Sequence, residues 1–207
     1  MKRLALPVIA GGLSGFAATL LFLNLTDAGG GAGLEPSREI AGLVGILYAI
    51  VALAIAVGIA SPSFGARFLN VEDADELREQ RRSLGYSMVG MALLGGALFL
   101  LAFVEPGGPI GGTVGAAGAI GLVIAAVVLT RLQARHVDEF QRALSREASA
   151  SALYLLFVFG GGWALLAHCG LAAAPAPLDW LTMFAAALVV GCVWQAARRG
   201  LLTRGPR

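Results

Sequence analysis

Long apolar runs alternate along this chain with short polar connections, and the alternation has the period of a membrane rather than of a folded core. Six runs stand out, at about residues 4–26, 40–60, 84–104, 110–132, 150–169 and 180–197. Each approaches or exceeds the roughly 20 apolar residues that carry a helix across the hydrocarbon of a bilayer. Backbone groups inside lipid must be hydrogen-bonded within their own segment, so each run is predicted to be a helix. The pattern therefore predicts an all-α, polytopic transmembrane helix bundle of six spans, forming one transmembrane domain over residues 1–207. Lys2-Arg3 followed by an apolar stretch imitates a secretion signal. That stretch is longer than the usual apolar core of such a signal, so it is read as a retained first span.

The polar connections differ in kind. Residues 27–39 are Gly-rich and carry no sign of a fold of their own, and Glu105-Pro106-Gly107-Gly108-Pro109 is a tight return. Two connections, at 61–83 and 133–149, are highly charged, and both lead directly into an apolar helix. Each contains an Asp-Glu-apolar triplet ahead of several arginines: Asp75-Glu76-Leu77 before Arg78 and Arg82, and Asp138-Glu139-Phe140 before Arg142 and Arg146. On a helix Asp138, Arg142 and Arg146 fall four residues apart and share a face. Acids ahead of bases also suit a helix that starts in water and enters the membrane, because its N-terminal end favours negative charge.

The distribution of basic residues sets an orientation. With both chain ends and both charged connections on one side, 14 of the 15 lysines and arginines lie there, and only Arg38 lies opposite. Basic residues concentrate on the cytoplasmic side, so both termini are expected to be cytoplasmic, in a bacterial inner membrane. Trp180 and Trp194 near the two ends of the last run, with Tyr86 and Tyr154 near the charged ends of theirs, read as interfacial anchors.

An internal repeat is also visible. Residues 41–53 align with 117–129 at six identities in thirteen positions, and 95–102 align with 160–167. Runs two and three thus resemble runs four and five as a candidate parallel two-helix repeat about an axis along the membrane normal. Ala, Gly, Leu and Val dominate every run, and such a composition makes matches of this kind easy.

Composition changes the picture only by exclusion. The chain of 207 residues is 57% hydrophobic and 14% charged, with a mean hydropathy of +0.79, outside the range of soluble domains. A net charge of +2, with arginines scattered over several connections, offers no basic surface for a nucleic acid. No Asp, Glu, Lys or Arg lies well inside any run, which disfavours proton-coupled transport. The polar residues at depth are mild, Ser14, Thr19, Ser87 and Gln195, and are expected to bond between helices. His136 and His168 are expected on opposite sides of the membrane, so a metal or haem site needing both is not expected. No nucleophile, base and orienting acid form a visible trio, and catalytic residues, cofactors and metals are all expected to be absent.

Glycine is frequent, at 29 residues. Spacings such as Gly11-xxx-Gly15, Gly111-xxx-Gly115, Gly160-xxx-Ala164 and Ala187-xxx-Gly191 suit close helix crossings. The triplet Gly160-Gly161-Gly162 reads as a helix hinge or an unwound stretch, with tight packing as the plainer alternative.

These features suggest a non-enzymatic integral membrane protein that associates with itself or with a membrane or cytoplasmic partner. The charged connections would form a collar, Asp75 and Glu76 facing Arg142 or Arg146, and Asp138 and Glu139 facing Arg78 or Arg82. Two other roles for these charges are a solvated helix extension whose arginines anchor at lipid phosphates and a divalent cation at Glu72, Asp73, Asp75 and Glu76. A small transporter or channel between Gly-rich helices is the alternative of a different class. Lipids are the one partner implied throughout.

Overall fold

The computed structural model describes residues 2–27, 34–61, 80–105 and 110–201. The fold is all-α, and the described residues contain no strand beyond a single bridge between Val104 and Ile110. In chain order the helices are α1 (Lys2–Asp27), α2 (Pro36–Ala60), α3 (Arg81–Ala102), α4 (Gly112–Gln133), α5 (Glu139–His168) and α6 (Pro177–Arg198). Helices α2 to α6 are each long and apolar enough to cross a bilayer, and α1 contributes the apolar stretch Gly11–Thr26. The six expected spans are therefore present, each within its own helix.

In the most apolar stretch of each long helix, only 11% to 28% of the residues are buried. Leucines, valines and phenylalanines cover much of the remaining surface, as at Leu53, Val114, Ile120, Phe157, Phe159 and Val193. Outward-facing side chains this apolar are stable against lipid and would be a liability in water. The chain is a multi-pass membrane protein.

The helices fall into two compact units, residues 1–132 and 133–207. In the first, α2 and α3 pack antiparallel at very close range. A Cβ on Gly45 would come within 2.7 Å of the Gly95 carbonyl oxygen, and one on Gly95 would meet the Gly45 carbonyl at the same distance. Only glycine at both positions permits this approach. Ala41, Tyr48, Ala52, Ala97, Leu98 and Ala102 are buried in this unit. Helix α1 adds Phe22, whose ring fills the notch left by Gly42. It also meets Phe99 and Phe103 with ring centroids 6.0 and 6.3 Å away.

One end of the α2–α3 pair is tied by Arg38. Its Nε donates to the carbonyl of Ala102 at 2.8 Å, and its guanidinium pairs with Glu105 at 3.1 Å. Ala102 closes α3, so its carbonyl has no partner in the helix ladder, and a cation there also meets the negative end of the helix dipole. The basic residue that stands apart from the charge pattern thus has a packing role.

In the second unit α5 and α6 pack antiparallel. A Cβ on Gly191 would come within 2.5 Å of the Ala148 carbonyl oxygen, so α6 crosses α5 on backbone. Ala148 and Ala152 are buried beneath it. Helix α5 begins at Glu139, well before the apolar run at residue 150, so the charged connection is a helical extension of that span. Pro177 opens α6, and the Asp179 carboxylate accepts the N–H of Ala176 at 2.6 Å. Both helices end in the same way, with Gly170 at φ 72° and Gly200 at φ 71°. At each end a six-to-one bond follows, from Leu171 N–H to Leu166 O and from Leu201 N–H to Ala196 O. Glycine reaches this left-handed conformation without the penalty a Cβ brings.

The sequence repeat does not carry its packing with it. Gly45 stands at a backbone crossing, whereas its aligned partner Gly121 has open space around it among the described residues. Gly95 faces the backbone of α2, whereas its aligned partner Gly160 faces the side chains of Trp180, Leu156 and Met183. The boundary between the units, at 132/133, also cuts the second copy.

Candidate functional site

Asp75, Glu76 and Arg78 lie outside the described residues, as do Glu72 and Asp73, and with them the first half of the expected collar. Arg82 is exposed in the first turn of α3. The second charged segment is well described. Asp138 is the N-cap of α5, and its carboxylate accepts the Gln141 N–H at 2.7 Å. Arg142 turns back and donates to the carbonyl of Ala134 at 3.1 Å. The two charges expected to pair along the helix instead hold backbone groups at its start. Glu139 and Arg146 are exposed and make no ion pair among the described residues.

One turn further along α5 the polar side chains converge on α6. Glu147, Ser151 and Tyr154 occupy positions i, i+4 and i+7, on one face of α5. Gln195 and Arg199, four residues apart on α6, answer them. Arg199 pairs with Glu147 at 2.5 Å and stacks over Phe140 with 5.2 Å to the ring centroid. Gln195, only 7% exposed, donates through Nε2 to the Ser151 hydroxyl at 2.7 Å. That hydroxyl in turn donates to the Glu147 carbonyl at 2.8 Å. A buried amide costs free energy unless it is bonded, and Ser151 supplies the bond.

Around these groups lies a cavity of about 490 Å³ lined by Glu147, Ala150, Ser151, Tyr154, Gln195, Arg198 and Arg199. Glu147 compensates Arg199, while Arg198 makes no ion pair among the described residues. The cavity therefore holds one uncompensated positive charge beside amide, hydroxyl and phenol groups. No three His, Cys, Asp or Glu side chains converge among the described residues.

The glycine triplet is wound. A π turn occupies Leu156–Gly160, and Gly161 follows with φ −64° and ψ −42°, in the α-helical region. The triplet thus exposes no unwound backbone; the irregularity is one widened turn, a device that recurs at functional positions. A Cβ on Gly160 would lie 2.9 Å from the Trp180 ring, so this glycine makes room for a bulky neighbour on α6. Beside the turn is a smaller groove of about 210 Å³ whose lining is entirely apolar, including Leu156, Phe159, Met183 and Val190.

Sequence reasoning found Gln195 as a polar residue at depth but not its partner, and it passed over Glu147, Ser151, Arg198 and Arg199 as a group. The available signal was weak: Ser151 lies at the start of its run, 44 residues from Gln195. Helical spacing on each side could have been read, but nothing in the sequence says which two faces meet. Comparison of the chain with protein-family models, curated proteins and solved structures finds no match.

Proposed function

We propose that this is a non-enzymatic integral protein of a bacterial inner membrane, with both termini cytoplasmic, that works by association. The partner is a second copy of the chain or another membrane or cytoplasmic protein. The observation that carries this reading is the ordered charged extension of α5. Asp138 caps it, Arg142 fastens it to Ala134, and Glu139 and Arg146 project from it without an ion partner among the described residues. A rigid helical surface with unpaired charges of both signs is preorganised for a partner of complementary charge. The transporter alternative draws less support. The groove at depth is apolar, and Gly160 and Gly161 are wound instead of offering carbonyls to an ion.

Native mass spectrometry of tagged protein, gently extracted from its own membrane, tests this. The expected result is a defined oligomer or a stoichiometric protein partner, lost in the doubly reversed variant Glu139→Arg/Arg146→Glu. A bare monomer in both proteins would refute the association reading. Reporter fusions after Arg199 check the orientation independently, and an outside signal there would overturn it.

A further inference from the structure

We propose that the cavity between α5 and α6 is a binding site for a single phosphate group, and that its occupant is the headgroup of an anionic phospholipid. Three observations lead there. The first is charge: two arginines, Arg198 and Arg199, against one glutamate leave a net positive lining. Because Glu147 is already engaged with Arg199, the excess resides on Arg198. A guanidinium is a planar fork of donors that matches phosphate oxygens, and it is more weakly hydrated than an ammonium.

The second observation is the remaining donor set. The Ser151 proton is directed to the Glu147 carbonyl, but the Gln195 amide has a second N–H and the Tyr154 phenol lines the same cavity. A phosphate offers acceptor oxygens to all of these. The ammonium of a zwitterionic headgroup would find no free carboxylate, since Glu147 is paired. The third observation is depth. Tyr154, in the cavity lining, is 72% exposed on α5, and Trp194, the residue before Gln195 on α6, is 58% exposed. Such aromatics settle at headgroup level. Apolar side chains follow on α5 immediately after Tyr154, at Phe157, Val158 and Phe159, and they suit acyl chains. The cavity, about 490 Å³, is open to the surface and has room for a headgroup to rest in it.

The test uses the full chain in detergent, with native mass spectrometry as the readout. The probes are phosphatidylglycerol, a diacylglycerol of the same acyl chains, and free glycerol phosphate. Phosphatidylglycerol should be retained by the wild type, with affinity about tenfold weaker in Arg198→Gln, the loss expected for one charge-assisted contact. Tyr154→Phe should weaken it in the same direction by less, and the diacylglycerol should not be retained. Arg198 holds no ion partner among the described residues, so the Arg198→Gln protein should unfold at the wild-type temperature. Arg135→Gln, exposed between α4 and α5 outside the cavity, is the charge control and should leave retention unchanged. Equal retention by wild type and Arg198→Gln would overturn the site. So would an equal loss in Arg135→Gln, which would reduce the effect to general surface attraction. Free glycerol phosphate bound as tightly as the lipid would overturn the lipid source while supporting the phosphate chemistry.

Discussion

The α2–α3 pair and the α5–α6 pair are both antiparallel and both cross on backbone, yet they are held together differently. The first crossing is reciprocal: Gly45 and Gly95 each face the other's carbonyl. Its surroundings are aromatic and aliphatic, and Arg38 ties one end of it, against the last carbonyl of α3 and Glu105. The second crossing is one-sided, with Gly191 set against Ala148. Its polar ties, Gln195 to Ser151 and Arg199 to Glu147, are grouped around a cavity. Between helices in lipid there is no hydrophobic drive, so close contact and hydrogen bonds supply the attraction. The first pair relies on contact and closes. The second crosses just as closely at Gly191 but gathers polar groups beside an open cleft, and that is where a site can form.

This contrast can be broken, beginning with the largest effect. Alanine at both Gly45 and Gly95 should destabilise the α2–α3 pair by about 3 kcal/mol, because each Cβ meets backbone that cannot rotate away. Hydrogen exchange should show the loss across α2 and α3. Gly90→Ala on the same helix, with open space around it, should leave exchange there unchanged. Alanine at Gly191 should cost about 2 kcal/mol, with faster exchange in α5 and α6, since only one helix contributes the glycine. If Gly191→Ala proves the more costly of the two, the reciprocal glycine contact is not what sets the strength of the first crossing.

The polar ties come next. Arg38→Ala should cost about 1.5 kcal/mol, the scale of a hydrogen bond to a charged group, read as earlier thermal unfolding in detergent. Arg38→Lys should recover only part of this, because an ammonium cannot hold the Ala102 carbonyl and Glu105 in one planar fork. Gln195→Leu should cost the least, about 0.6 kcal/mol, the mean for an interhelical hydrogen bond in a membrane. Its larger effect should be on phosphate-headgroup retention in native mass spectrometry, which the Arg38 variants should leave unaltered.

Much of the fold was legible because lipid imposes a simple rule. A long apolar run must be a helix, so an all-α bundle of six helices could be read from the runs. At α5 the helix starts at Glu139, so the charged segment ahead of the apolar run is the helical extension that the sequence offered as one reading. There the Asp138 cap and the Arg142 contact wind the polar segment into the span. The behaviour of the glycine triplet was not predictable from residue type. Whether three glycines unwind or pack depends on what lies opposite, and Trp180 lies opposite Gly160. The small-xxx-small spacings were a similarly partial guide. Gly191 does mark a crossing, whereas Gly11 and Gly15 have nothing against them among the described residues, and Gly45 and Gly95 were not among the spacings picked out.

What the sequence by itself determined is the solvent each segment requires: six apolar helices and the polar segments that join them. Helix pairing was decided only in three dimensions. Alanine, glycine, leucine and valine recur on every face of these helices, and the choice among faces shows in where a missing Cβ lets two backbones touch, as at Gly45 with Gly95 and Gly191 with Ala148. The Ser151–Gln195 contact and the cavity around it follow from that choice, since residues 44 apart become neighbours only once Gly191 has settled on Ala148.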